Sequence, residues 1–73
     1  MSLSATQIET LSALAEAQVA SPMVTNRLLA DCSPALTAAE RNQALGELTA
    51  GGLITRRGGL QLTAAGRRVT RRF

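Results

Sequence analysis

"GELTAGGLITRRGGLQLTAAGRR", residues 46–68, decides how this chain is read. A helical pattern enters it and stops at Gly51-Gly52, a natural left-handed helix end. The apolar period then changes. "LITRR" and "LQLT" alternate apolar and polar residues as half-buried strands do, and Gly58-Gly59 between them is a two-residue hairpin signal. Leu53 or Ile54, together with Leu60 and Leu62, would give the hairpin one buried face, with Arg57 and the two glycines at its tip. A last helix opens at Thr63, where Ala65, Val69 and Phe73 recur at four-residue spacing. That stripe is expected to pack, with Phe73 closing the core. Arg67 and Arg71 fall on one flank of it, Arg68 and Arg72 on the other.

Upstream, "LSATQIETLSALAEAQV" carries a helix start: Ser4 can cap, Gln7 can reach back to it, and Leu3 and Ile8 stand at hydrophobic-staple positions. Ile8, Leu11, Leu14 or Ala15, and Val19 supply apolar residues at helical spacing. For the second helix, Ser21 as cap and Pro22 at the first position form a favoured pair. This helix is expected to reach Ala30 and to bury Val24 and Leu28. "DCSPAL" breaks the pattern. The third helix starts at Ser33-Pro34 or at Thr37, and Thr37 is preferred because "TAAE" forms a capping box with Glu40.

Composition narrows the chemistry. Seventy-three residues suit one domain, 1–73, with little room for a deep catalytic pocket. The core must be aliphatic, since Phe73 is the one aromatic residue. One cysteine excludes an internal disulfide, and with no histidine neither a metal site within the chain nor His-based catalysis is expected. No cofactor and no enzymatic activity are expected, because no acid/base or nucleophile constellation exists. Cys32 reads as a small, partly buried turn residue. No apolar run approaches the ~20 residues of a membrane span, and the N-terminus lacks the positive charge of a signal peptide, so a cytoplasmic location is expected.

Charge is unevenly placed. All eight basic residues are arginine and six follow position 55, whereas all five acids precede position 48. The net charge of +3 thus separates an acidic-to-neutral front from a basic tail, which suits a polyanionic partner.

Three helices, a two-stranded wing and a C-terminal helix make a mainly α fold with a small β-hairpin, the order of a winged helix-turn-helix. The runs "ALGELTAGGLITRR" (44–57) and "LQLTAAGRR" (60–68) resemble the third helix, wing and following turn of small bacterial winged-helix regulators of the MarR and PadR groups. In such proteins a leucine-rich helix ends in a Gly-Leu-Ile step, arginines follow on the first wing strand, and Leu-Thr-x-x-Gly closes the wing. The resemblance covers roughly two thirds of the chain. It implies binding of double-stranded DNA, with the third helix in the major groove and the wing on phosphates or the minor groove. It also implies a homodimer, through the first or the last helix, that reads paired half-sites.

The residues expected to carry DNA binding follow. Arg56, Arg57, Arg67, Arg68, Arg71 and Arg72 are expected to meet phosphates. Thr37, Asn42, Gln43 and Arg41 are expected to supply base or phosphate contacts from the third helix. On a helical wheel Leu45, Leu48, Arg41 and Ala44 cluster inward, while Ala39, Glu40, Gln43, Gly46, Glu47 and Ala50 point outward. Two glutamates on that outward face favour a second expectation, a protein-interaction module such as an adaptor or phage-type inhibitor, whose arginines meet an acidic partner surface. Arg41 stands where the resembled pattern has an apolar residue. Either the helix turns it outward, or its stem lies along the core edge with the guanidinium beyond.

Overall fold

The computed structural model describes residues 2–73, and every helix in it begins at a hydroxyl that accepts a backbone N–H left without a helical partner. Ser4 caps α1 (Ala5–Ala20), Thr25 caps α2 (Asn26–Cys32), Thr37 caps α3 (Ala38–Ala50) and Thr63 caps α4 (Ala64–Thr70). Both capping boxes form as the sequence predicts. Gln7 N–H donates to Ser4 Oγ at 3.1 Å while Ser4 N–H donates to Gln7 Oε1 at 2.8 Å. Glu40 N–H donates to Thr37 Oγ1 at 3.1 Å while Thr37 N–H donates to Glu40 Oε1 at 2.9 Å.

Between α3 and α4 lie β1 (Ile54–Thr55) and β2 (Gln61–Leu62), an antiparallel pair in which Ile54 faces Leu62 and Thr55 faces Gln61. The resulting architecture is mainly α: three helices, a hairpin and a C-terminal helix, in a winged-helix-like topology. It is compact, with a radius of gyration of 10.7 Å against about 11 Å expected for this length. Leu11, Leu14, Leu29, Leu45 and Leu48 are each at most 2% exposed and, with Val24, Leu53, Ile54, Leu60 and Leu62, form one aliphatic core.

The end of α3 is a Schellman turn. Gly52 takes a left-handed φ of 76°, Gly52 N–H reaches Thr49 O at 3.1 Å, and Leu53 N–H reaches Leu48 O at 3.0 Å. This turn throws Leu53 back onto the core. Thr63 then locks the far side: its N–H donates to Leu53 O at 3.0 Å, its hydroxyl donates to Gly52 O at 2.6 Å, and the same hydroxyl accepts from Gly66 N–H at 3.1 Å. Gly66 is buried, and a Cβ there would overlap the Leu53 carbonyl oxygen. The Leu-Thr-x-x-Gly run thus has a physical reason: a core leucine, a cap and a residue small enough for helix to meet backbone.

The structure differs from the sequence reading at five points. Ser21 does not cap α2; its N–H closes α1 onto Ala17 O and its hydroxyl bonds Met23 O. Val24 is fully buried, but in extended backbone, where its carbonyl accepts Leu60 N–H at 2.9 Å in an antiparallel bridge. A pairing partner far along the chain outweighs the local Ser-Pro signal, and α2 waits for Thr25, burying Leu29 fully and Leu28 partly.

The hairpin is not a two-residue turn. Leu60 is held by Val24, and the connection between the strands spans 56–60, with Gly58 and Gly59 at φ 65° and 110°. Both Leu53 and Ile54 are buried with Leu60 and Leu62. The β2 edge turned away from β1 is closed by Leu60 N–H on Val24 O and by Leu62 N–H on Gln18 Oε1 at 3.1 Å, so no bare edge is left there.

On α1 the buried line is Thr10, Leu11, Ala13, Leu14 and Ala17, leaving Ile8 39% and Val19 90% exposed. Alanine on several sides lets the stripe be drawn in more than one place, and close packing chose the small residues. Finally, Phe73 is 54% exposed rather than closing the core. The stripe of α4 is set by Gly66, with Ala65 and Val69 only half-buried, so Phe73, beyond the helix end, lies at the rim.

Candidate nucleic-acid interface

The expected site residues fall into three groups. On α3, Ala44, Leu45 and Leu48 are buried and Ala39, Glu40, Asn42, Gln43, Gly46, Glu47 and Ala50 are exposed, so the helix is oriented as its wheel predicts. Asn42 and Gln43 are free to reach outward. Thr37, although exposed, has its hydroxyl engaged by Glu40 N–H.

Arg41 is spent on structure. Its stem lies half-buried along the core edge, Nε donates to Ser33 Oγ at 3.0 Å, and Nη2 donates to Leu36 O at 3.1 Å. Ser33 is fully buried and its own hydroxyl donates to Leu29 O at 2.7 Å. One guanidinium therefore ties the end of α2 to the start of α3 and supplies the acceptor side of a buried hydroxyl with a donor. With Arg41 folded away, the outward face of α3 carries no cation.

That face has a sidedness. Glu40, Gln43 and Glu47 bound a recess shared with Ser4 and Thr6 at the start of α1, and Gln7 Nε2 donates to Glu47 Oε1 at 3.3 Å. The Glu40 carboxyl is held below the usual carboxylate range, first by the Thr37 backbone N–H and then by the Thr37 hydroxyl. The acids thus gather on the α1 side, leaving Asn42, Gly46 and Thr49 as the uncharged opposite edge.

The wing forms the second group. Arg56 and Arg57 are both exposed, past the last strand pair. Arg56 shares a cleft of ≈ 200 Å³ with Asn26, the first residue of α2, and with Gly59. Asn26 and its exposed neighbour Arg27 were missed by sequence reasoning, because a helix started at Ser21-Pro22 puts them mid-helix. The signal that could have found them is Thr25, a capping residue directly before them.

The α4 arginines are the third group. Arg67, Arg68, Arg71 and Arg72 are all exposed, on or just beyond a helix that packs on α1 and β2. Arg67 and Arg71 line one cleft with α1, and Arg72 lines another with Leu3 and Phe73; neither cleft is lined by an α3 residue. Each of the four clefts is lined by expected residues of one group only. Among the described residues there is no cluster of three or more His, Cys, Asp or Glu side chains able to hold a metal, and no helix long and apolar enough to cross a membrane.

Comparison with family models, with curated proteins and with solved structures found no match for this chain.

Proposed function

We propose that this chain is a DNA-binding winged-helix module acting in transcriptional regulation, as its likeness to the small MarR- and PadR-type regulators implies. The observation that carries this reading is the pairing of the wing with α2: Arg56 stands in one cleft with Asn26, and Arg57 and Arg27 are exposed next to them in sequence. Cations and an amide on two elements that flank one another suit successive phosphates. Asn42 and Gln43 then supply the base contacts, each able to pair with adenine.

The test is a fluorescence-anisotropy titration with random-sequence duplex DNA at several salt concentrations. Affinity should fall linearly on a log–log plot, and Arg56→Ala with Arg57→Ala should reduce the slope by about 2, close to one per lost phosphate contact. Absence of binding at low salt overturns the reading.

A second reading is favoured by one observation. The outward face of α3 is lined by Ala39, Gly46 and Ala50 beside Glu40 and Glu47, with no cation to meet a phosphate. On this reading α3 docks a protein partner, and random duplex stays unbound at every salt concentration in the same titration.

A further inference from the structure

The α4 arginines line clefts that hold none of the side chains assigned above to phosphate or base contacts. Arg67 and Arg71 line a cleft of ≈ 300 Å³ with Ala15, Gln18, Leu62, Thr70 and Val19, the last 90% exposed. On the other side of α4, Arg72 rims a cleft of ≈ 470 Å³ floored by Leu3, Leu53, Val69 and the half-exposed Phe73. Apolar floors with guanidinium rims thus flank one short helix, and no acid follows Glu47 in the chain.

From this arrangement we infer that the α1–α4 face docks an acidic amphipathic helix of a partner protein, its apolar side chains entering the cleft beside Ala15, Val19 and Leu62 and its carboxylates meeting Arg67 and Arg71. Charge complementarity selects the partner, because bidentate guanidinium–carboxylate pairing needs acids spaced about one turn apart, as Arg67 and Arg71 are. Glu16, exposed one turn before Val19, bounds the surface and keeps partner acids on the α4 side.

Other occupants fit less well. A nucleic-acid strand would leave the apolar floors unfilled and find one aromatic ring, Phe73, to stack on. An anionic bilayer needs a continuous free apolar helical face, whereas on α4 Gly66 is buried and Ala65 and Val69 are half-buried against the core. A second copy joined by a two-fold axis would bring two sets of these arginines together. The inference stands independently of the DNA reading, since it uses none of the side chains to which that reading gives phosphate or base contacts.

The experiment maps backbone amide shifts of the full chain on adding a synthetic helical peptide with leucine at every third or fourth position and glutamate on the flanks. Shifts at Ala15, Val19, Arg67 and Arg71 are expected. Arg67→Glu with Arg71→Glu should weaken the peptide at least about tenfold, and Val19→Asp, at a position too exposed to threaten folding, should do the same. Both variants should keep the salt slope of random-duplex binding, which counts phosphate contacts, although the charge reversal lowers the affinity itself, while Arg56→Ala with Arg57→Ala should keep the peptide affinity. Shifts confined to α3 or the wing overturn the inference. So does binding to phosphatidylserine vesicles without binding to the peptide, a reduced salt slope of duplex binding in the α4 variants, or sedimentation as a dimer whose α1–α4 amides are already protected.

Discussion

The helical part, residues 4–50, and the C-terminal part, 51–73, are held together differently. In the first, side chains close the joints: Ser4 with Gln7, Thr37 with Glu40, and Arg41 across Ser33 to Leu36. In the second, backbone also meets backbone, Leu53 on Leu48, Leu60 on Val24 and Thr63 on Leu53, with Gly66 pressed on the Leu53 carbonyl and with Thr63 Oγ1 and Gln18 Oε1 as the side-chain members. The charges divide the same way, all acids in the first part and six of eight arginines in the second. A side-chain joint can lose one member and keep its backbone path. A joint made by the absence of a side chain has no such tolerance, and it leaves the arginines free of structural duty.

The largest effect is therefore expected at Gly66→Ala, where the added methyl must displace a backbone carbonyl; a loss of about 3 kcal/mol is expected, read from urea unfolding. An unchanged midpoint would show that α4 slides freely and would dissolve the contrast. Arg41→Ala should cost about 2 kcal/mol, since it removes two charge-assisted hydrogen bonds at a partly buried turn. Replacement by lysine should recover only part of this, because an ammonium lacks the guanidinium's forked donors.

Thr37→Ala comes next, at about 1 kcal/mol, the usual loss for a helix cap. The smallest change, Glu40→Gln, sharpens the comparison through pH. The amide oxygen can still accept from Thr37 N–H, so little should change at neutral pH. The native carboxyl, however, has a lowered pKa from the Thr37 backbone N–H and hydroxyl. Its contribution is complete above the unfolded carboxylate range, about pH 4.3, and is lost as pH falls through the lower folded value. Melting curves of the two proteins should accordingly converge on acidification, and parallel curves would remove Glu40 from the account.

Legibility in the sequence follows the same divide. Ser4, Thr37, Thr63 and Gly51-Gly52 were readable because each acts on backbone three or four residues away, and that geometry is the same in any helix. The inward face of α3 was readable because Leu45 and Leu48 leave one way to turn it. Asn42 and Gln43 could be placed on the exposed side for that reason, and Arg41 could be marked as the residue out of pattern. By itself, then, the sequence determined the element order, the cap and end of α3, the start of α1 and α4, and the separation of acid from arginine.

The tertiary structure decided what depends on a distant partner. Val24 and Leu60 meet across 36 positions, and that bridge moved the start of α2, lengthened the wing loop and brought Asn26 beside Arg56. The alanines of α1 are too alike for hydropathy to choose among its faces, so packing chose. Arg41 found its acceptors only once α2 and α3 were joined, and Phe73 lost its place in the core once Gly66 fixed the approach of α4. Hydrogen bonds three residues apart are written into a short run of chain. Which surfaces close on one another is settled only when all of them compete for the same core.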